Sequence, residues 1–320
     1  MDIRPQDLPE LRAEVLHWQL SHGPAFFDAC IRANRMPLRP AGSVHDAAQY
    51  LSKAEAQRVL QGELFWVDAQ MVALAKTAAE SLPEFTLMPE DLPAPFGFMV
   101  FGEPAYVSQD PESQRTTFIK AVAWGPLSHP NLPRGGVWAS WYSDRELNLG
   151  PANDGLISDE EKTLVRQGVP HLVYDLEDAY PFSPDHLPHI NPSTGEASKP
   201  FDLDRNYLKS ELLRVVWLLM QQPLAEATVL DPDRAAKKRL RRAGHEPKPV
   251  RVIELRRPKG SSDSGDSDRE YQHQWIVRGH WRQHWHPKRQ VHRPVWIAPH
   301  IKGPEGAPLI GGEKVYAWKR

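Results

Sequence analysis

Residues 116–125, TTFIKAVAWG, and residues 135–144, GGVWASWYSD, decide the fold class. With GFMVFGEP at 97–104, they are short segments rich in aromatic and β-branched residues and bounded by Gly or Pro, which is how strands read. Trp124, Trp138 and Trp141 then belong to the core beneath a sheet. Upstream of Pro89 the pattern is helical. LPELRAEVLHWQL and PAFFDACIRANR read as a helix pair joined at Ser21-His22-Gly23, and AAQYLSKAEAQRVLQGELFWV reads as one helix with an imperfect stripe. Asp68 caps AQMVALAKTAAESL, whose Met71, Leu74, Ala75 and Ala78 share a face.

Downstream, residues 144–204 are polar and acidic, with a short helix expected near SDEEKTLVRQG and a long loop over PFSPDHLPHINPSTGEASKP. DRNYLKSELLRVVWLLMQQ is the clearest helix, stopped by Pro223. A second follows, with Asp231 expected as N-cap, Pro232 in the first turn and Gly244 just past the end. PVRVIELRR, YQHQWIVRG, RPVWIAP and EKVYAWKR read as strands, and SSDSGDSD as a loop. The expectation is an α+β fold with an N-terminal helical layer, a central antiparallel sheet, and a C-terminal helix pair with a small basic β-sheet. A soft boundary near Pro200 separates an acidic α+β domain, 1–200, from a basic domain, 201–320, unless the two form one unit.

Charge is distributed unevenly. Residues 234–320 hold 21 Lys+Arg against 8 Asp+Glu, a net of +13, whereas residues 1–233 hold 18 against 33, a net of −15. The overall −2 hides this dipole. The basic end also carries five of the eleven Trp and seven of the fourteen His. Clustered cations interleaved with aromatics point to a polyanion, most simply DNA or RNA. Read as one extended strand, Trp275–His286 alternates: Trp275, Trp281 and Trp285 share one face, while Arg278, His280, Arg282, His284 and His286 share the other. The candidate nucleic-acid-binding residues are therefore Arg239, Arg242, Arg278, Arg282, Lys288, Arg289, Arg293 and Lys302 for phosphate, with Trp281 and Trp285 for stacking on bases. The helix at 233–243 is expected to lie beside this row.

Other chemistry is weaker in the sequence. The His280, His284, His286 spacing lacks a completing Cys or carboxylate, and two arginines on that face would repel a dication, so no metal is assigned. His171, Asp175, Glu177, Asp178, Asp185, His186 and His189 have the residue types of a two-metal hydrolase but match no spacing signature, and read as a solvated acidic loop. No P-loop, G-x-S-x-G, H-E-x-x-H or G-x-G-x-x-G occurs, and no cofactor is expected. A single cysteine, Cys30, excludes an intrachain disulfide, and no apolar run reaches the ~20 residues of a membrane span, which together suggest a cytoplasmic protein.

SLPEFTLMPEDLPAPFGFMVF, the helix-to-strand stretch ELLRVVWLLMQQPLAEATVLDP with VRVIELRRP, and the tail WIVRGHWRQHWHPKRQVHRPVWIAPHIKGP together resemble a group of actinobacterial, phage and plasmid proteins without an assigned activity. The resemblance implies a cytoplasmic, mobile-element setting and no catalytic residues. Three functions stay open. The first is a nucleic-acid-binding or regulatory protein whose acidic part meets a protein partner. The second is a metal-dependent nuclease, nucleotide hydrolase or toxin that depends on His171 or Asp175. The third is an interaction protein whose acidic and basic ends pair between copies.

Overall fold

The computed structural model describes residues 3–33, 42–129, 132–182, 189–190, 197–198, 203–256, 275–287 and 290–302. The helices are α1 (Leu8–Arg32), α2 (Val44–Gln61), α3 (Ala69–Ala79), α4 (Arg145–Asn148), α5 (Asp159–Gly168), α6 (Leu203–Met220) and α7 (Arg234–Arg242). The first six strands are β1 (Glu63–Val67), β2 (Gly97–Phe101), β3 (Tyr106–Gln109), β4 (Thr116–His129), β5 (Leu132–Asp144) and β6 (Leu172–Pro181). A short pair follows, β7 (His189–Ile190) and β8 (Ala197–Ser198), and then β9 (Ala225–Leu230) and β10 (Val250–Leu255). The last strands are β11 (Trp275–Val277), β12 (His280–His286), β13 (Val291–Ile297) and β14 (His300–Lys302).

Eight strands make one mixed sheet in the order β6-β5-β4-β2-β1-β10-β9, with β3 also on β4. Among the described residues the parallel pairs are those of β1, with β2 on one side and β10 on the other. Alternation along the strands sends side chains to two cores. Leu64, Trp66, Phe98, Val100, Ala121 and Tyr142 meet α1 and α2. Phe65, Val67, Met99, Phe101, Val122 and Trp124 meet α3, α6 and the β12–β13 hairpin. The result is three layers. β9, β10 and α6 come from beyond Pro200, yet they complete the same sheet and the same core.

Three local expectations are corrected. α1 runs unbroken through Ser21-His22-Gly23 and carries Pro24 inside it. Packing overrides the missing amide, because Gly23 and Phe27 are buried in the α1–α2 core and Ser52 donates to the Gln19 carbonyl (2.9 Å) beside the break. ELFWV is not the end of a helix. α2 stops at Gln61, and Glu63–Val67 becomes the central strand β1, buried on both faces and so lacking alternation. HLVYDLEDAYP, expected to be acidic loop, contains the edge strand β6. Trp124, Trp138 and Trp141 are buried, as the sequence implies. Among the described residues no helix is long and apolar enough to cross a membrane.

Gly97 allows β2 to approach the Trp124 indole. A Cβ there would lie 2.1 Å from Cζ2. The indole cannot easily yield, since its Nε1 donates to the Ala94 carbonyl (3.0 Å) and its ring packs between Phe65 and Trp217. Gly97→Ala is expected to lower stability by roughly 1–3 kcal/mol through overpacking. Urea unfolding measures this, and an unchanged midpoint would mean that the indole is free to shift.

Candidate nucleic-acid interface

The basic helix α7 connects β9 to β10. Asp233, not Asp231, is its N-cap, accepting from the Ala236 amide (2.7 Å), and Gly244 at φ +78° follows its end. Its only buried side chains are Ala236 and Leu240. At about 100° per residue, Arg234, Lys238, Arg241 and Arg242 fall within an arc of roughly 100° opposite that stripe. Lys237 and Arg239 occupy the shoulders. They are the two that meet carboxylates: Lys237 with Asp231 at 3.7 Å, and Arg239 with Glu10 of α1 at 2.6 Å. Among the described residues no carboxylate lies within 4.0 Å of the four outward cations. Of the sequence candidates, Arg242 thus stands on the free face and Arg239 on a paired shoulder. Arg234, Lys238 and Arg241 join the site. Their helical spacing in DRAAKKRLRRAG was the signal that marks them.

The seat of α7 is rigid. Arg12 is buried and donates to the Leu60 carbonyl (3.1 Å) and the Glu246 carbonyl (3.0 Å), tying α1 to the end of α2 and to the segment after α7. Lys248 closes the end of α2 by donating to the carbonyls of Leu60, Gln61 and Gly62. Burial, with the nearby Arg12 and His17, holds His245 below its usual pKa, so it adds no charge to the patch at neutral pH.

The β12–β13 hairpin differs from the single alternating strand that the sequence suggests. The strand is interrupted between Val277 and His280. β11 pairs with β14, while β12 pairs with β13. Trp281 is half-buried, donates from Nε1 to the Ala78 carbonyl (2.8 Å), and packs edge-on against buried Trp296. It packs against the core, so its role is at least partly structural. Arg293 is also corrected. It is buried, bridges Asp91 at 2.7 Å and donates to the Thr86 carbonyl (2.7 Å), so it anchors the hairpin and is withdrawn from phosphate. Trp285 is 46% exposed beside His292, and Arg278 and Arg282 are exposed. Lys288 and Arg289 lie outside the described residues. Lys302 falls in β14, with its side chain outside them. The hairpin packs in the α3–α6 layer while α7 sits against α1, so the sheet separates the helix from the row it was expected to flank.

The acidic constellation is dispersed. His171 is buried, with its Nε2 3.4 Å from Asp144, and its backbone amide donates to Glu14 of α1. Asp144 itself caps α4, and Lys120 lies 4.0 Å away. Burial opposes ionisation of Asp144, but hydrogen bonding from His171 and Leu147 and the charges of His171 and Lys120 outweigh it, so the pKa is lowered. Asp178 turns to the opposite face of β6 from Glu177 and accepts from Trp141 Nε1 (2.8 Å). Asp175 is exposed on β6. Asp185 and His186 lie outside the described residues, as does the side chain of His189. Among the described residues no group of three His, Cys, Asp or Glu side chains is placed to hold a metal ion. Among the described residues the ion pairs Lys237–Asp231, Arg239–Glu10, Arg251–Glu63 and Arg293–Asp91 join the basic end to the acidic part of the same chain.

No protein-family model and no curated protein matches the chain. The crystal structure of AcrVA2 aligns over 92% of this chain and 93% of its own, at 12% identity and a TM-score of 0.35. That degree of similarity is too low to show a shared fold.

Proposed function

We propose that this protein binds nucleic acid through the outward face of α7, with Arg234, Lys238, Arg241 and Arg242 contacting phosphates. One observation carries this reading: the two shoulder cations of α7 have carboxylate partners, while the four on its solvent arc have none among the described residues. The exposed Arg282 and Trp285 lie on the hairpin, on opposite faces of its strand and across the sheet from α7. Binding through α7 is therefore expected to follow the backbone charge of a duplex rather than its bases. The regulatory reading, in which the acidic part meets a protein partner, is secondary to this contact.

The test is binding of labelled single- and double-stranded DNA and RNA across a salt series, with each product checked for cleavage. The expected log affinity falls with log salt by about 0.9 per phosphate on a duplex, hence a slope of roughly −3 to −4 for four contacts. No binding at low salt overturns the proposal. Metal-dependent cleavage transfers the function to the nuclease class.

A further inference from the structure

The most unusual buried chemistry lies far from α7, where α2 meets β5 and β6. Glu55 of α2 is fully buried and accepts from Arg58 Nε (3.0 Å), Arg58 Nη2 (2.5 Å) and Ser140 Oγ (2.6 Å) on one oxygen, and from the Tyr142 hydroxyl on the other. Beside it, the Tyr174 hydroxyl donates to Glu177 Oε2. Glu177 Oε1 is buried without a hydrogen-bond partner among the described residues. Two residues three apart on a regular strand face opposite ways. Here the register shift opposite Trp141 and Tyr142 passes over Asp175, so that Tyr174 pairs with Tyr142, Glu177 with Ser140, and both face α2.

This site holds two carboxyls and one guanidinium. With a proton on Glu177, the pair Glu55 and Arg58 balances. Without it, one negative charge is buried unpaired, which is costly. We propose that Glu177 is a proton-operated latch: its protonated carboxyl seats the edge strand β6 on α2, and loss of the proton loosens that seat. The surroundings contain little to offset the charge. α2 contributes Glu55 and Arg58, β5 the Tyr142 phenol, β6 Tyr174 and Asp178, and α1 only the rings of Phe26 and Phe27 against Tyr174. Arg58 is held by Glu55 and by the Trp138 ring (5.4 Å). Burial, reinforced by the charges of Glu55 and Asp178 and opposed by the Tyr174 hydrogen bond and by Arg58, raises the Glu177 pKa to about 7. Burial and the adjacent carboxylates also raise both tyrosines well above their usual pKa, so they remain donors throughout the range.

The raised pKa sets the direction of the effect. Glu177 takes up a proton on closing, so the contribution is complete below the ordinary glutamate pKa and is lost as pH rises towards about 7. Amide hydrogen exchange of the full chain, corrected for intrinsic rates, reads it directly. Opening of β6 is expected to increase about tenfold per pH unit across that window and to level off above it. Glu177→Gln, which keeps an acceptor for Tyr174, is expected to flatten the curve. Should that variant not fold, the ¹³C resonance of the Glu177 carboxyl in the parent decides, with a midpoint near 7 expected. A midpoint in the ordinary carboxylate range, or β6 protection independent of pH, overturns the latch.

Discussion

Replacing Arg234, Lys238, Arg241 and Arg242 together by glutamine is expected to weaken duplex binding about 10³–10⁴-fold at ~0.1 M salt, since each phosphate contact contributes roughly a factor of ten there. The slope in log salt should approach zero at the same time. Glutamine is a better choice than glutamate, because Arg241 and Arg242 sit in the last turn of α7, where a negative charge would oppose the helix dipole and confuse stability with binding. The four side chains project opposite the buried stripe of Ala236 and Leu240, so stability should change by no more than about 0.5 kcal/mol per site. The paired shoulders are the control. Lys237→Gln with Arg239→Gln removes an equal charge per residue but touches cations already turned to Asp231 and Glu10, and is expected to cost under tenfold per site. Equal losses from both sets would show that α7 acts by net charge alone. A folded quadruple variant with unchanged affinity and slope would place the nucleic-acid contact elsewhere.

Arg293→Met is expected to have the largest effect on stability, a loss of about 3–5 kcal/mol, because it strands the carboxylate of a buried pair. Asp91 is buried, already accepts from the Met88 amide (2.8 Å), and meets Arg293 at 2.7 Å. Removing the guanidinium takes the counter-charge from a buried carboxylate and also frees the Thr86 carbonyl. Asp91→Asn combined with Arg293→Met should restore part of the loss, since the amide keeps an oxygen for Met88 and carries no charge. Denaturant unfolding of the two single variants and the double variant completes a cycle. Strictly additive effects would mean that the two groups do not interact. Duplex binding by Arg293→Met, measured where the variant is folded, should keep the parent salt slope. This separates an anchoring arginine from a phosphate ligand.

Much of the architecture was legible because local chemistry and tertiary environment agree. GFMVFGEP, TTFIKAVAWG and GGVWASWYSD are strands at the centre of the sheet, and their tryptophans fill the core. Asp68 caps α3, and α6 begins and ends near its own apolar spacing. The basic character of α7 is equally local. Its single leucine among six cations already required one face to meet solvent.

Where the sequence misled, a long-range partner supplied what the local signal lacked. ELFWV has no alternation because both of its faces are covered, by α1 and α2 on one side and by α3 and α6 on the other, elements that its local sequence does not show. Pro24 fails to break α1 because packing on α2 outweighs one lost hydrogen bond. β6 carries Asp175, Glu177 and Asp178, so composition read it as loop. Its acidic residues are tolerated because Tyr174 donates to Glu177, Trp141 donates to Asp178, and Asp175 is exposed.

The candidate site divides in the same way. That cations would gather near the C-terminal end, and that helix 234–242 would present most of its own to solvent, follows from the residues alone, since helical geometry needs only i to i+4 spacing. Which cations remain available was decided by the fold. Arg293 and Arg282 lie in one basic run and look alike in sequence, but Asp91 reaches only the first. Arg239 and Arg242 are three residues apart on one helix, and Glu10 meets only the first. Charge is a property of the chain, whereas its neutralisation depends on carboxylates that are distant in sequence and adjacent only after α1, the sheet and the 84–91 segment have packed.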